Sequence, residues 1–353
     1  MILSNSLREQ SNMPAQELEA TAKALMAPGK GILAIDESLP SIKKRFDSIG
    51  IESTIENRRA YRELLITTSD VGEFISGMIL FDETIRQATA EGVPFPEVMQ
   101  KAGIIPGIKV DQGAKDMAGH PGEKITEGLD GLRERLAEYR KLGARFAKWR
   151  AVITIGEGIP SQSCIDANAH ALVRYAAFCQ EAGFVPIVEP EVLMDADNTI
   201  ERCYEVTHAT LRSVFHALYA QRIVLEQLIL KTNMVIAGKK CPRQASISEV
   251  AEETVRCLRN TVPAAVAGIV FLSGGQSAQL ATAHLNAMNA MGIQHPWPLS
   301  FSYGRALQDP ALKIWGGKAV NVAAVQRALY HRAKCNSLAC LGRYMEEMER
   351  QAA

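Results

Sequence analysis

The chain has 353 residues, with 39 Lys+Arg against 39 Asp+Glu, 47% hydrophobic residues, and ordinary Gly (26) and Pro (15) use. Zero formal net charge leaves no electrostatic footprint for nucleic acid or an anionic membrane, and the composition excludes disordered and fibrous classes. Cys164, Cys179, Cys203, Cys241, Cys257, Cys335 and Cys340 are odd in number and scattered without C-x-x-C, which points to a reducing compartment. The opening MILSNSLREQSNMPAQE lacks the apolar stretch of a signal peptide. The longest apolar runs, such as Val262 to Leu272, fall well short of the ~20 residues that span a bilayer, so the expectation is a cytoplasmic protein.

Short, apolar, β-rich segments recur in chain order: Gly31–Ile35, Gly77–Phe81, Ile104–Val110, Phe146–Ile153, Phe184–Val188, Val224–Leu230, Gly268–Leu272 and Leu299–Tyr303. Their starts lie 27 to 46 positions apart, which leaves room for a crossover helix each time. Ser53-Thr54-Ile55-Glu56 and Ser246-Ile247-Ser248-Glu249 have capping-box spacing. Leu129, Leu132, Leu136 and Tyr139 recur at helical spacing before Gly143, a helix stop. Eight alternating strand–helix units predict an α/β fold, a (β/α)8 TIM barrel. The rival, an open doubly wound sheet, expects a G-x-G-x-x-G turn after the first strand, and none follows GILAI. No linker-like shift in composition appears. Residues 1–353 therefore read as one domain, with a core of about 27–344 and peripheral N- and C-terminal segments.

In such barrels the chemistry sits at the C-terminal strand ends. The sequence puts Asp36-Glu37-Ser38 after the first strand, and Lys109 and Asp111 at the third. Lys148 and Arg150 mark the fourth, Glu189 and Glu191 the fifth, and Lys231 the sixth. Alternate residues of a strand face the same way, so Lys148 points with Arg150, and Glu189 with Glu191. Any one of these charges, taken singly, reads as a solvated loop residue. Together they predict a confined cluster of cations and carboxylates, each needing a partner or a shifted pKa. A lysine in apolar surroundings beside a second cation loses its proton more readily, and its amine attacks a ketone to form a Schiff base. A neighbouring carboxylate must then shuttle protons. Lys231, Lys148 and Glu189 fit those roles.

Phosphate is expected as well. Ser273-Gly274-Gly275 after the seventh strand offers backbone N–H donors, although an ordinary tight turn explains it alone. Ser302-Tyr303-Gly304-Arg305 after the eighth adds a hydroxyl and a guanidinium. Arg45, Lys109 and Arg150 stand opposite for a second anion. A metal is not expected: the histidines form no H-E-x-x-H, and His208 with His216 read as ordinary helix positions. The Walker phosphate loop is missing too.

The segments APGKGILAIDES, ENRR, ILFDET, GIKVD, GLDGL, FAKWR, VPIVEPE, LEQLILKTNMV, GIVFLSGGQS, FSYGRALQ, ALKIWGGK and NSLAC resemble, in order, those of the class I fructose-1,6-bisphosphate aldolases, over about residues 27 to 344. The resemblance implies reversible cleavage of fructose 1,6-bisphosphate in glycolysis and gluconeogenesis, without a cofactor. It implies Lys231 as the Schiff-base lysine, Glu189 as proton donor and acceptor, and Asp36 as the carboxylate at the carbon-4 hydroxyl. Lys148 would keep the nucleophile neutral and stabilise oxyanions, and Glu191 would orient the lysines. Ser273, Gly274, Gly275, Ser302, Gly304 and Arg305 would hold the carbon-1 phosphate, and Ser38, Arg45, Lys109 and Arg150 the carbon-6 phosphate. A homotetramer is implied likewise.

The chain departs from the family pattern in three places. Thr232 follows the lysine where Pro is common, and AIDESLPSI replaces AADESTGSI. The chain ends MEEMERQAA with Tyr344 as its last tyrosine, so a tyrosine-assisted proton exchange must be done otherwise or slowly. Another Schiff-base aldolase or transaldolase is the enzymatic alternative, and a silent relative acting as a binding protein the non-enzymatic one.

Overall fold

The computed structural model describes residues 16–352. The first 15 residues, where the reading of a leader falls, lie outside the described residues. Eight strands pair in parallel, each beside its chain neighbour: β1 (Gly31–Ile35), β2 (Ile75–Leu80), β3 (Ile105–Lys109), β4 (Phe146–Ile153), β5 (Val185–Val192), β6 (Ile229–Thr232), β7 (Gly268–Phe271) and β8 (Leu299–Tyr303). Strand β8 closes onto β1, with Ile32 opposite Ser302, so the sheet has no edge. Helices fill the connections, from Leu39–Asp47 and Ile55–Ile66 after β1 to Arg305–Trp315 and Val322–Cys340 after β8. This is the (β/α)8 barrel expected from the eight repeats. Among the described residues no helix is long and apolar enough to cross a membrane.

Most predicted elements hold to within a residue or two. The Ser246 capping box forms in full: its hydroxyl accepts from the Glu249 N–H at 3.2 Å, and the Glu249 carboxylate accepts from the Ser246 N–H at 2.7 Å. At Ser53–Glu56 the cap moves one residue, to Thr54, which accepts from the Asn57 N–H at 3.1 Å, so no box closes there. Leu129 precedes its helix, Leu132–Lys141, behind an N-cap Gly131. Two strands differ more. Leu225–Gln227 forms a 3₁₀ turn, so β6 starts at Ile229 rather than Val224. Strand β5 runs past Val188 to Val192, because Arg150 opposite Glu189 and Val152 opposite Glu191 keep it in register with β4.

The described parts of the terminal segments, from residue 16 and up to Glu349, lie outside the strand–helix repeat but pack firmly against it. A helix over residues 16–25 stoppers the end of the barrel away from the strand C-termini. Leu18, Ala22, Leu25 and Met26 join Ile32, Ile79, Phe146, Val185, Ile187, Ile229 and Val270 in one buried cluster. Glycine makes room for it: a Cβ on Gly268 would collide with the Met26 side chain, and one on Gly107 with the Phe146 ring. At the other terminus the buried Arg332 guanidinium grips the Glu349 carboxylate through both oxygens. The mouth at the strand C-termini is left open for chemistry.

Candidate active site

At that mouth lies a cavity of about 1150 Å³. It is lined by every catalytic or binding residue expected from the sequence except Gly275: Asp36, Ser38, Arg45, Lys109, Lys148, Arg150, Glu189, Glu191, Lys231, Ser273, Gly274, Ser302, Gly304 and Arg305.

At its floor two ammonium groups flank one carboxylate. Glu189 Oε1 is 3.1 Å from Lys231 Nζ, and Glu189 Oε2 is 3.2 Å from Lys148 Nζ. Lys148 also meets Asp36 Oδ2 at 2.7 Å. Both lysine side chains are only 5% exposed and that of Glu189 3%. The pleat explains the convergence: Lys148 on β4, Glu189 on β5 and Lys231 on β6 sit on neighbouring strands and all turn inward. One step outward the pattern repeats, with Arg150 paired to Glu191.

The sequence reading stressed the cations, whereas the structure alternates them with carboxylates. Burial works against the Lys148 ammonium, yet Asp36, Glu189 and Asp111 outweigh it and raise its pKa, so this lysine keeps its proton. Burial also works against the Asp36 carboxylate, but Lys148, Lys231 and Lys109 bring it down to about 2. Glu191 is lowered likewise, Arg150 overcoming its burial. The carboxyl group beside Lys231 is that of Glu189, which Lys231 shares with Lys148.

The two rims differ in how their cations are occupied. On the rim built by β7 and β8, Gly274 (φ 59°) and Gly275 (φ 89°) adopt the left-handed conformation, and the Gln276 N–H closes the turn on the Ser273 carbonyl at 2.9 Å. The Ser302 hydroxyl is buried without a hydrogen-bond partner among the described residues. The helix Arg305–Trp315 opens here, presenting its N-terminus and the Arg305 guanidinium, which carries no ion pair among the described residues. These are the features of a dianion cradle. On the opposite rim each cation named from the sequence already has a carboxylate: Lys109 has Asp111, Arg150 has Glu191, and Arg45 has Glu37 and Asp309. Lys44, which the sequence reading passed over, lines that rim without an ion pair among the described residues.

Arg62 was also missed. It is buried on the helix Ile55–Ile66 and holds Glu37 Oε2 at 2.8 Å, fixing the turn that carries Asp36. It shares a helix face with Leu65 and Ile66, so a cation on an apolar stripe was the available signal. Of the departures, Pro40 falls in the first turn of the helix Leu39–Asp47, where its missing N–H costs no hydrogen bond. Thr232 remains in β6 opposite Phe271, leaving Lys231 its place. Tyr344 does not line the cavity; its hydroxyl donates to Glu349 at 2.9 Å. His331, Cys335 and Glu349 are the described ligand-type side chains close enough to share an ion, but Arg332 and Tyr344 engage that carboxylate. All seven cysteines are free.

A (β/α)8 barrel whose mouth joins a buried lysine–carboxylate–lysine relay to a dianion cradle has the apparatus of a Schiff-base aldolase acting on phosphorylated sugars. The chain belongs to the class I fructose-bisphosphate aldolase family, whose model matches residues 17–353. It is 64% identical, over 94% of its own length and 99% of the other, to a probable fructose-bisphosphate aldolase class 1 of Xanthomonas campestris. It is 54% identical to the fructose-bisphosphate aldolase of Dictyostelium discoideum, with 94% of each chain covered. A solved fructose-bisphosphate aldolase from Plasmodium falciparum, in complex with TRAP and a small-molecule inhibitor, superposes with a TM-score of 0.93 at 51% identity, covering 94% of this chain and 96% of that one. The reaction is therefore the reversible, metal-independent cleavage of fructose 1,6-bisphosphate to dihydroxyacetone phosphate and glyceraldehyde 3-phosphate.

Proposed function

We propose that Lys231 carries this reaction as the nucleophile, with Glu189 as its proton shuttle. The observation that supports this reading is the single carboxylate held 3.1 Å from one buried amine and 3.2 Å from another. Lys231 gives a proton to Glu189, and its neutral amine adds to the carbon-2 ketone. Glu189 returns the proton to the carbinolamine hydroxyl, which leaves as water, and the bond becomes a protonated iminium. Asp36 takes the carbon-4 hydroxyl proton. The carbon-3–carbon-4 electron pair flows into the iminium, releasing glyceraldehyde 3-phosphate and leaving an enamine. Protonation at carbon 3 and hydrolysis free dihydroxyacetone phosphate and Lys231. Lys148, kept charged by its carboxylates, stabilises the developing oxyanions.

In this reading Glu191 steadies Arg150 and the lysines, and Ser273, Gly274, Gly275, Ser302, Gly304 and Arg305 hold the carbon-1 phosphate. Ser38, Arg45, Lys109 and Arg150 serve the carbon-6 phosphate, with Lys44. One domain, a cytoplasmic location and a homotetramer complete the proposal. They rest on the unbroken barrel, on a relative named as cytosolic from Arabidopsis thaliana (52% identical over 96% of this chain), and on family resemblance respectively. Reduction with borohydride in the presence of dihydroxyacetone phosphate tests the nucleophile: a mass gain on the Lys231 peptide is expected. An adduct elsewhere, or none, refutes the assignment.

A further inference from the structure

Three loops meet beside the carbon-1 rim. The backbone after β6 runs along the loop after β5: the Gly238 N–H donates to the Asn198 carbonyl at 2.8 Å, Lys239 to Met194 at 2.7 Å, and Lys240 to Ala196 at 3.0 Å. Only glycine permits that approach, since a Cβ on Gly238 would collide with the Ala196 carbonyl oxygen. Met194 in turn packs over Gly274 of the loop after β7. This scaffold delivers one side chain to the phosphate loop, that of Lys239. A Cβ on Gly275 would stand 2.5 Å from Lys239 Nζ and 3.1 Å from Arg305 Nη1. Two cations thus converge on one glycine of a loop rich in N–H donors, although like charges so close repel. Arg305 makes no ion pair among the described residues, and the one ion pair of Lys239 among them is with Asp195, at 2.8 Å. That pair is weak, being 38% and 66% exposed, so a dianion readily takes the ammonium from it.

From this geometry, and resting on the reading of the β7–β8 rim as the carbon-1 phosphate site, we infer that Lys239 is a further phosphate-binding cation for which Asp195 and the substrate compete. The pair sets affinity for the carbon-1 phosphate and takes no part in the bond cleavage.

The test uses the full chain and the variants Lys239→Met, Lys239→Arg and Asp195→Asn. The readouts are KM for fructose 1,6-bisphosphate, kcat, and the inhibition constant of inorganic phosphate. Loss of one charge-assisted contact raises KM and the inhibition constant about tenfold in Lys239→Met, with a smaller change in kcat. Lys239→Arg restores both to within about threefold, and Asp195→Asn, which frees the ammonium, lowers both about threefold. Values within about twofold of the parent protein in Lys239→Met overturn the inference. Weakening of about equal size in Lys239→Met and Asp195→Asn does so too, because it marks a purely structural pair. Borohydride trapping keeps the two readings apart. A Lys231 adduct in parent and variant alike, with unchanged phosphate inhibition, removes Lys239 only, whereas no adduct in the parent removes the nucleophile assignment.

Discussion

Replacing Asp36 with asparagine keeps the shape of the side chain and deletes one charge from the relay. In the native fold this carboxyl titrates near 2 against an ordinary value of 3.8, because Lys148 and its neighbours overcome the cost of burial. At 1.36 kcal/mol per unit, that difference corresponds to about 2–3 kcal/mol of stability at pH 7. Between those two values the unfolded chain binds more protons than the native one. The contribution is therefore whole above about pH 4 and disappears as pH falls through 2. Lys148 keeps Glu189 as a partner at 3.2 Å, so Asp36→Asn should lose no more than that and should fold. Urea unfolding at pH 7 should show the 2–3 kcal/mol deficit, and the gap from the parent protein should narrow toward pH 3. On the proposed mechanism the variant also lacks the base at the carbon-4 hydroxyl, a role worth ~10²–10⁴ in rate. Coupled cleavage assays should record that fall in kcat, while borohydride trapping of dihydroxyacetone phosphate on Lys231 persists. A kcat within about tenfold of the parent refutes the placement of Asp36 as the base.

The remaining predictions concern the rims, the floor and the chemistry. Arg305→Gln should raise KM for fructose 1,6-bisphosphate and for fructose 1-phosphate alike, by about tenfold or more, without loss of thermal stability, because the residue is exposed and carries no ion pair among the described residues. Three of the opposite-rim cations, Lys109, Arg150 and Arg45, are already engaged by carboxylates, which leaves Lys44, so removing the carbon-6 phosphate should cost no more than about a hundredfold in kcat/KM, measured with fructose 1-phosphate. Leu25→Ala at the barrel floor should lower unfolding free energy by about 2–5 kcal/mol and leave KM unchanged, as read by calorimetry and steady-state kinetics. Dialysis against a chelator should leave the cleavage rate intact; a loss restored by added zinc would contradict an amine-based mechanism.

Much of the site is legible in one dimension because it lies on strands, where the two-residue period fixes which side chains share a face. Lys148 with Arg150 and Glu189 with Glu191 follow from spacing. Reading charge as the end of a strand was less reliable. Strand β5 carries both glutamates inside the ladder, since Lys148, Lys231 and Arg150 across from them supply the partners that make buried carboxylates tolerable. The start of β6 was misplaced because Val224 and Leu225 are as apolar as the strand itself, and only the tertiary packing separates turn from ladder.

Arg62, Lys44 and Lys239 illustrate the other limit. Arg62 reaches Glu37, in the turn after β1, from the helix Ile55–Ile66, and Lys239 reaches Gly275 from a different loop, contacts with no fixed sequence offset. The plugging helix over residues 16–25 was likewise set aside as peripheral to the repeat, because nothing in its own sequence tells that Leu25, and Met26 just after it, fit the room left by Gly77 and Gly268.

The sequence by itself determined the eight-fold alternation, which side chains of a strand share a face, and the residue types that make Schiff-base chemistry available, all of which are set by local period and composition. Closure of the barrel decided the rest. Only closure brings Asp36, just past β1, across the barrel to Lys148 on β4, and with that contact it sets which of the buried groups hold their charge.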